Sequence, residues 1–269
     1  MGFWGRTFLL DGIPSDRYGL TISQSVHNTA ASGGEETDPS GSDLKLYLQE
    51  YLRRPTPTLL GVQFAPPLVF DIECNVSQEM TANDFRPVAA WLFGNIGYRK
   101  LQIEQPDMYG YYFNGMFTKP QIKRAGNLIR GFYGSFNCDS PWGWTYPQTL
   151  TKNYTASIVN DSFVINNLSD HSGYLYPQLL IIMNVFDGFL TLTNVEDNNR
   201  QFSITSLASN EIVTVNNDLQ ILTSSTGLNR LGKFNLNWFR LLPGVNHIQL
   251  SGNVSQVKFT YQFAVKMAG

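Results

Sequence analysis

One stretch of this sequence carries apolar residues at helical spacing, whereas the rest follows the shorter period of β-strands. In the sequence TANDFRPVAAWLFG they recur at i, i+3, i+4, i+7 and i+8, at Phe85, Val88, Ala89, Leu92 and Phe93. Pro87 is tolerated only in the first helical turn, so the helix is predicted to begin near Asn83 or Asp84 and to end before Gly94. We expect a short helix whose apolar stripe packs on a sheet.

Upstream of the helix, the pattern predicts a polar loop followed by a strand. Residues 25–43 contain almost no large apolar side chain and many Gly, Ser, Thr and Asp, which indicates a long exposed loop, or one that a neighbouring subunit orders. Leucines then keep mostly to period 2, as in a half-buried strand, at Leu44, Leu46, Leu48 and Leu52. Pro55 and Pro57 are expected to stop that strand.

The second half of the chain has a purely β pattern. A cluster of Pro and Gly between residues 141 and 147 interrupts the strands, and we place a domain boundary between residues 138 and 139. Beyond it come many short strands with evenly spaced turns, including two strands joined in a hairpin by Asp187-Gly188. The predicted fold class is mostly β: an α+β domain of β-sheets with one short helix over residues 1–138, and an all-β sandwich over residues 139–269.

The sequence NWFRLLPGVNHIQLSGN near the C-terminus predicts a further hairpin. Trp238 and Arg240 would share one face of its first strand, and Pro243-Gly244 would form its turn. Asn246 is expected to hold that turn by bonding to nearby backbone. The residues that would face the core on the return strand are Ile248 and Leu250.

Five residues are candidates for sugar contact, because aromatic rings stack on sugars while Arg and His bond hydroxyls: Trp142, Trp144, Trp238, Arg240 and His247. Packing at the domain junction explains Trp142 and Trp144 equally well, because they follow a Pro-rich break. Asn246 must point to the face opposite His247, so the set on the C-terminal hairpin is incomplete as a lectin site. Glycan binding is therefore kept as the alternative to a structural role.

Composition limits the chemistry that the chain can perform. Charged residues make up 15% of the chain and the net charge is −2, so the surface relies on uncharged polar residues, which suits assembly with copies or partners. We find no metal-ligand spacing and no nucleophile motif, and we expect no metal, no cofactor and no enzymatic activity. The carboxylates that a glycosidase could use lie in turn-rich contexts: Asp107, Asp139, Asp161, Asp170 and Glu211.

Three further features bear on where the protein acts. No run approaches the roughly 18 apolar residues of a membrane span, and the first residues lack a secretory-signal pattern, so we expect a soluble protein. Cys74 and Cys138 are predicted to be buried free thiols. The basic clusters YLRRP and QIKRAGNLIR are expected to contact protein partners, because a net acidic chain is poorly suited to a nucleic-acid site.

Several of these stretches, taken together and in order, resemble the distal tail proteins (Dit) of siphophages. The N-terminal ones are FLLDGIPSDRYGLTIS, DFRPVAAWLFG and LQIEQPDMYGYYFNG, and the domain closes with GFYGSFNCDSPWGW. In the second domain, FNLNWFRLLPGVNHIQLSGN is similar to the hairpin of the family's galectin-like domain. The resemblance covers nearly the whole chain, although the chain is too short for the carbohydrate-binding module that some members carry in the second domain.

The resemblance implies a structural protein of the virion. Members assemble as a hexameric ring at the tail tip, with N-terminal domains around the channel and galectin-like domains outside. One face of the ring would meet the tail tube protein and the other the tail-associated hub or fibre protein, and receptor-binding proteins would dock at the periphery. The ring would be assembled in the host cytoplasm, and the family uses no cofactor. The alternative is a galectin-like module that adheres to host cell-wall glycans.

Overall fold

A computed structural model of the protein describes residues 6–25, 45–51, 54–63, 66–156 and 159–266. The chain divides into two compact units, of which the second spans Tyr146–Ala264 and the first comprises the residues before and after it. Within the described residues the structure is dominated by antiparallel strands and contains one α-helix. The predicted mostly-β fold class is confirmed.

The first unit is built on an extended antiparallel sheet. The strands of this unit are β1 (Phe8–Leu10), β2 (Ile13–Pro14), β3 (Leu20–Ser25), β4 (Lys45–Tyr51), β5 (Arg54–Gln63), β6 (Val69–Met80), β7 (Arg99–Ile103), β8 (Tyr111–Ala125), β9 (Leu128–Cys138) and β10 (Gly143–Thr145), of which all but β4 and β5 belong to the extended sheet. The main path runs β2-β1-β7-β8-β9-β6-β3, and β10 pairs with β8. Alternation along β6 buries Phe70, Ile72 and Cys74, so one face of the sheet forms the core. Cys74 and Cys138 are free and buried, as predicted.

The helix α1 (Ala82–Phe93) covers that core and confirms the predicted helix. Thr81 caps it: the Asp84 backbone N–H donates to Thr81 Oγ1, and the Thr81 N–H donates to the Asp84 carboxylate. The helix therefore begins slightly earlier than predicted, directly after its capping residue. Its buried residues are Phe85, Val88, Trp91 and Leu92. The carboxyl end is held by the buried guanidinium of Arg99, which donates to the Trp91 carbonyl.

Strands β4 and β5 form a two-stranded sheet of their own. Strand β4 matches the predicted leucine-rich strand. Of the leucines predicted to alternate there, the structure describes the burial of Leu48, which is exposed together with its cross-strand neighbour Leu59. Pro55 and Pro57 lie inside β5, where no strand was predicted; a strand at the edge of a sheet tolerates Pro because its outward N–H groups need no partner. The predicted loop 25–43 lies outside the described residues, apart from Ser25 at the end of β3.

The second unit is a sandwich of two antiparallel sheets. Its strands are β11 (Gln148–Asn153), β12 (Val159–Asn167), β13 (Gln178–Met183), β14 (Gly188–Asn194), β15 (Arg200–Leu207), β16 (Ile212–Asn216), β17 (Ile221–Ser224), β18 (Gly244–Gly252) and β19 (Val254–Tyr261). The short β20 (Ala264–Val265) lies at the division between the units and belongs to neither sheet of the sandwich. A five-stranded sheet has the order β11-β19-β13-β16-β17, and a four-stranded sheet has the order β12-β18-β14-β15. Fully buried residues include Ile181 and Phe259 of the former and Leu192 and Ile248 of the latter.

Two predicted hairpins of the second unit are corrected by the structure. Strands β13 and β14 flank Asp187-Gly188 but lie in different sheets, because each buries its apolar face in the common core from its own side. The prediction of a strand around Trp238 was wrong. Between a short 3₁₀ turn at Leu231–Lys233 and β18, the chain makes only isolated β-bridges, at Phe234 and Leu241. The Phe239 N–H there donates to the side chain of Asn217 at 2.8 Å.

The four-stranded sheet ends differently on its two sides. Strand β12 pairs with β18 in unbroken register from Val159↔Gly252 to Asn167↔Gly244 and is the last strand on that side. On the other side, Asn235 pairs with the outer edge of β15. Its side-chain oxygen accepts from the Ser203 N–H at 3.1 Å, its backbone N–H donates to the Ser203 carbonyl, and its amide nitrogen donates to the Gln201 carbonyl.

The division between the units falls after Thr145, whereas the sequence analysis places it between residues 138 and 139. The difference arises from β10, in which Trp144 pairs with Tyr112 of β8. Because this short strand adds to the sheet of the first unit, the connection between the units begins beyond it.

Candidate functional site

The five predicted sugar contacts fall into two groups. Trp142 and Trp144 belong to the first unit, and Trp238, Arg240 and His247 belong to the second. Arg240 and His247 are brought to the same turn, which connects β14 to β15, because each bonds to an acidic residue in it. Trp238 has a different environment.

Trp142 and Trp144 pack against each other edge to face. Their ring centroids are 6.5 Å apart with an interplanar angle of 84°, and both residues are partly buried. The Trp142 carbonyl accepts a hydrogen bond from Ser140 Oγ at 2.9 Å, which fixes the bend leading into β10. This geometry gives both indoles a packing role, and their contact with a sugar stays a prediction.

Trp238 is half-buried and packs on the core of the second unit. Its ring lies 4.8 Å from that of Phe234 in an edge-to-face arrangement, and Phe234 lies 4.9 Å from Phe202. Such aromatic contacts stabilise a fold beyond the area that they bury. Trp238 is therefore part of the packing that holds its irregular segment against the sandwich.

Arg240 is held by a carboxylate and an aromatic ring. Its Nε donates to Asp197 Oδ2 at 2.7 Å and its Nη2 to Asp197 Oδ1 at 2.9 Å, a bidentate pair. The guanidinium lies over the Tyr174 ring, 3.8 Å from its centroid. The hydrogen bonds to Asp197 raise the pKa of Arg240 despite partial burial, so this side chain is a fixed positive charge.

His247 is held by the residue next to Asp197. The His247 backbone N–H donates to Glu196 Oε2 at 2.6 Å, and its Nδ1 bonds to Oε1 of the same carboxylate. The hydrogen bond with His247 lowers the pKa of Glu196. We call Tyr174, Glu196, Asp197, Arg240 and His247 the open cluster, because its His side chain is 59% exposed.

A buried amide network supports the open cluster. Asn194 Nδ2 donates to the Arg240 carbonyl at 3.0 Å and to Asn246 Oδ1 at 2.9 Å. Asn246 is fully buried and brackets the turn before β18: its Nδ2 donates to the carbonyls of Leu242 and Gly244, and its Oδ1 accepts from the Leu242 N–H. The predicted turn-holding role of Asn246 is confirmed. Sequence reasoning missed Asn194, which no local pattern distinguishes from other polar residues near strand ends.

A second ion pair of this unit is buried, and we call it the closed cluster. Arg230 Nε and Nη2 donate to Glu211 Oε1 and Oε2 at 2.8 and 2.7 Å, while Ser224 Oγ and the Ala208 N–H donate to the same carboxylate. Burial alone would raise the pKa of Glu211, but the bonds from Arg230, Ser224 and Ala208 lower it. Glu211 was a possible glycosidase carboxylate; its occupied oxygens give it a structural role here.

The described part of the chain offers no other site with obvious chemistry. In it, no group of three or more His, Cys, Asp or Glu side chains could hold a metal ion. Among the same residues no helix is long and apolar enough to cross a membrane. Asp161, another possible glycosidase carboxylate, accepts from the Tyr154 hydroxyl at 2.9 Å and pairs with Lys152 at 3.2 Å.

Exposed apolar side chains mark a different kind of surface on the first unit. Leu48, Leu59 and Leu60 of the two-stranded sheet are 48%, 54% and 64% exposed, and we call them the hairpin surface. Ile96, in the connection after α1, is fully exposed, and Tyr98 beside it is 64% exposed. Grouped exposed apolar residues are typical of protein–protein contact sites. The sequence analysis missed the hairpin surface because it predicted Leu48 to lie on the buried side of a strand and predicted no strand at Leu59 and Leu60.

Both units match known sequence families. Residues 3–140 match a family described as phage tail protein N-terminal domain, and residues 142–261 match one described as phage tail C-terminal domain. A search of curated proteins found no match.

Solved structures share the fold over almost the full chain. The Dit protein of phage SPP1, described as a paradigm of the hub adsorption apparatus in phages that infect Gram-positive hosts, is 10% identical with a TM-score of 0.66, covering 96% of this chain and 98% of that one. A chain of the phage p2 baseplate in its activated conformation is also 10% identical, with a TM-score of 0.54 and coverage of 96% and 97%. The resemblance to the Dit family inferred from the sequence is confirmed.

Proposed function

Because the chain belongs to the phage tail protein family that its two units match, we propose that it is the distal tail hub of a virion, a hexameric ring that joins the tail tube to the tail-tip apparatus. The observation that carries the proposal is the SPP1 Dit fold over 96% of the chain. The protein is a structural component in this proposal and catalyses no reaction.

The surfaces of the two units support an assembly role. A subunit of a closed ring contacts a neighbour on each side, and a net charge of −2 offers little repulsion between copies. Apolar side chains exposed on the first unit, such as Leu60 and Ile96, supply the kind of surface that such contacts use. The first unit is accordingly our proposed ring-forming part.

The proposed partners follow from a position at the tail tip. One face of the ring binds the tail tube protein, the other binds the tail-associated hub or fibre protein, and receptor-binding proteins dock on the outer units. Assembly takes place in the host cytoplasm, before the ring becomes part of the virion.

The number of copies tests this proposal directly. We expect native mass spectrometry of the purified chain to give six copies, and electron microscopy to show a ring with a central channel. Co-purification with the tail tube protein of the same phage is expected for the assembled form. A protein that stays monomeric at tens of micromolar, or that closes with another number of copies, would contradict the proposal.

Glycan adhesion by the second unit is a second candidate function. The observation that favours it is the open cluster, which places the exposed imidazole of His247 and the half-exposed ring of Tyr174 at one turn. Trp238 is a weaker candidate, because it packs edge to face on Phe234. Trp142 and Trp144, which pack edge to face on each other, belong to the first unit and would form a separate contact.

Binding of purified host cell-wall polysaccharide tests this candidate. If the open cluster binds sugar, Tyr174→Ala and His247→Ala should each weaken binding at least tenfold, whereas Thr205→Ala, at an exposed site on β15, should leave it unchanged. Absence of binding by the unchanged protein, or equal effects of all three substitutions, would remove the candidate.

A further inference from the structure

We infer that the outer edge of β12 is a docking site for an extended segment of another tail protein, which adds to the four-stranded sheet as a further strand. The choice of a different protein as the partner rests on the proposed ring, whereas the edge itself is a property of the second unit. The inference is carried by main-chain groups of β12 that point away from β18 and bond to no described residue of the chain.

Alternate residues of β12 point their main-chain groups in opposite directions. In an antiparallel pair, residues directly opposite each other either both bond across the pair or both point away from it. The His247 carbonyl of β18 accepts from the Val195 N–H at 3.0 Å, so His247 points toward the β14 side. Val164 lies opposite His247 and therefore points away from β18. Ser162 and Asn166, two positions before and after it, point the same way.

One of these outward groups is already used within the chain. The Ser162 N–H donates to Asp161 Oδ1 at 2.8 Å, and the same carboxylate accepts from the Tyr154 hydroxyl and pairs with Lys152. A charged side chain on an edge strand hinders another strand from pairing at that point. The open part of the edge is therefore the second half of β12, residues 163–167, which carries no charged side chain.

The chain that leads into β12 does not reach this open half. Residues 157 and 158, which the structure does not describe, join residue 156 to Val159 at the other end of the strand. A link of two residues is too short to extend from there to residues 163–167. Among the described strands, β12 pairs with β18 alone.

The other edges of the sandwich are less open than that of β12. Asn235 occupies the edge of β15. Strands β17 and β11 have four and six residues, whereas β12 has nine in continuous register with β18. Short and covered edge strands protect a protein against strand addition. A long, regular edge in the same unit is therefore the place where an added strand gains the most main-chain bonds.

An extended polypeptide is the ligand that such an edge selects. Main-chain hydrogen bonds supply the affinity of an added strand, and its alternate side chains supply specificity. Val164 is 51% exposed, and Val245, diagonal to it on β18, is 50% exposed. A β-branched or aromatic side chain opposite Val164 would pack on this pair. We therefore expect the partner segment to be rich in such residues and to contain neither proline nor a charge at its centre.

The symmetry of the proposed ring favours a different protein over a second copy. Two β12 edges that pair antiparallel are related by a two-fold axis between them. Neighbouring subunits of a closed hexameric ring are instead related by rotation about the ring axis, so their β12 edges do not meet in this way. Each subunit then presents one equivalent edge, and one copy of the partner segment is expected per subunit.

Hydrogen–deuterium exchange with residue-level fragmentation tests whether the edge is occupied in the virion. In the purified full chain, the Val164 and Asn166 amides should exchange at least tenfold faster than the Ile165 amide, which faces β18. In intact tails of the phage, both should slow at least tenfold while Ile165 stays slow. Equal exchange in the two preparations would overturn the inference. Protection of both amides already in the purified chain would overturn it as well, because the edge would then be covered without a partner.

A proline substitution removes one bonding group from the edge. Val164→Pro deletes an outward N–H that makes no bond to β18, and edge strands tolerate proline at such positions. The probe is an array of overlapping peptides from the tail proteins of the same phage, together with a peptide of residues 159–167. We expect the full chain to bind a peptide of the stated chemistry and Val164→Pro to weaken that binding at least tenfold. Val164→Thr, which keeps the N–H and the β-branch, is the matched control and should bind as the wild type does.

The outcomes separate this inference from the proposed function. Binding to no peptide, to the 159–167 peptide alone, or equally by Val164→Pro would overturn strand docking by another protein. If the wild-type chain forms a hexamer but its edge amides stay unprotected in tails, the docking is wrong while the ring stands. If the chain forms no hexamer but the same amides become protected in tails, the docking stands while the ring fails.

Discussion

The closed and open clusters of the second unit use similar residue types but differ in burial. In the closed cluster the Glu211 side chain is fully buried and that of Arg230 is 13% exposed, whereas in the open cluster Glu196 and His247 are 31% and 59% exposed. Both clusters hold a carboxylate with several donors. Residue type alone therefore does not distinguish a structural ion pair from one on a surface available to a partner. The solvent exposure of the side chains makes that distinction.

The same difference determines how much each pair contributes to stability. A buried carboxylate that loses its cation remains as an uncompensated charge in the core, which is strongly destabilising. An exposed pair is screened by water and its loss is small. Asp197 lies between these limits, because it is nearly buried while its partner Arg240 is partly exposed. Substitutions should therefore lower the free energy of unfolding most at Glu211–Arg230, less at Asp197–Arg240 and least at Glu196–His247.

The largest effect is expected for Arg230→Met, which leaves Glu211 buried without its bidentate partner. We expect the free energy of unfolding at pH 7 to fall by about 3–5 kcal/mol, measured by urea denaturation. Lys233→Met is the matched control, because Lys233 is an exposed cation in the same segment, and it should change stability by less than about 0.5 kcal/mol. A loss for Arg230→Met no larger than that of the control would contradict the structural role of the closed cluster.

The pH dependence of the same variant sharpens the result. The pKa of Glu211 is lowered in the folded wild-type protein, so its stabilising contribution is present above the ordinary glutamate pKa and is lost as the pH falls through the folded value. Without Arg230, burial would raise that pKa, and protonation would then favour the folded state. The stability gap between wild type and variant should therefore shrink as the pH falls from 7 through the ordinary glutamate pKa towards the lowered pKa of the wild type. A constant gap would contradict this origin.

An intermediate effect is expected for Asp197→Asn, which keeps the shape of the side chain but removes the charge facing Arg240. The free energy of unfolding should fall by about 1–3 kcal/mol, because Arg240 stays partly hydrated and retains its contact with Tyr174. The measurement is urea denaturation at pH 7, with Asp187→Asn, in an exposed turn, as the control. A loss as large as that of Arg230→Met would place Asp197 with the closed cluster.

The smallest effect is expected for Glu196→Gln in the open cluster. Since His247 is mostly exposed, the change at pH 7 should be about 0–1 kcal/mol. The sign is a loss, because the pKa of Glu196 is lowered by His247: the stabilisation exists above the ordinary glutamate pKa and disappears as the pH falls through the folded value. Thermal unfolding over a series of pH values from 7 downwards checks it, and a difference from wild type that does not shrink as the pH falls below the ordinary glutamate pKa would contradict it.

Local patterns predicted elements better than they predicted pairing. The helical spacing around Phe85 and Val88 gave α1, because an apolar stripe and a nearby cap are encoded within a few turns. Period 2 identified β13 and β14 as strands but could not assign them to separate sheets, since the period of a strand does not specify its partner. Alternation likewise does not report exposure, and Leu48 of β4 is exposed although it keeps to the strand period.

The candidate site was predictable only in part, for a related reason. Arg240 and His247 were singled out by residue type, but the acidic residues that hold them lie 43 and 51 positions upstream. The pairing of β14 with β18 brings Glu196 to His247, and the bond from Asn194 to the Arg240 carbonyl holds Arg240 beside Asp197. The Trp238 segment was misassigned as a strand because its polar contacts, including the bond from Phe239 to Asn217, are made by side chains that strand periodicity does not take into account.

The unequal edges of the four-stranded sheet have a consequence for a protein produced in many copies. At β15, the side chain and backbone of Asn235 already occupy the groups to which a foreign strand would bond. At β12, the ladder runs without a bulge or proline to the last strand of the sheet. A regular strand at the edge of a sheet is a template for unwanted strand addition. Two copies of this sheet can therefore pair through their β12 edges, whereas the β15 edge is occupied. Aggregates that form in this way should stop at dimers joined through β12.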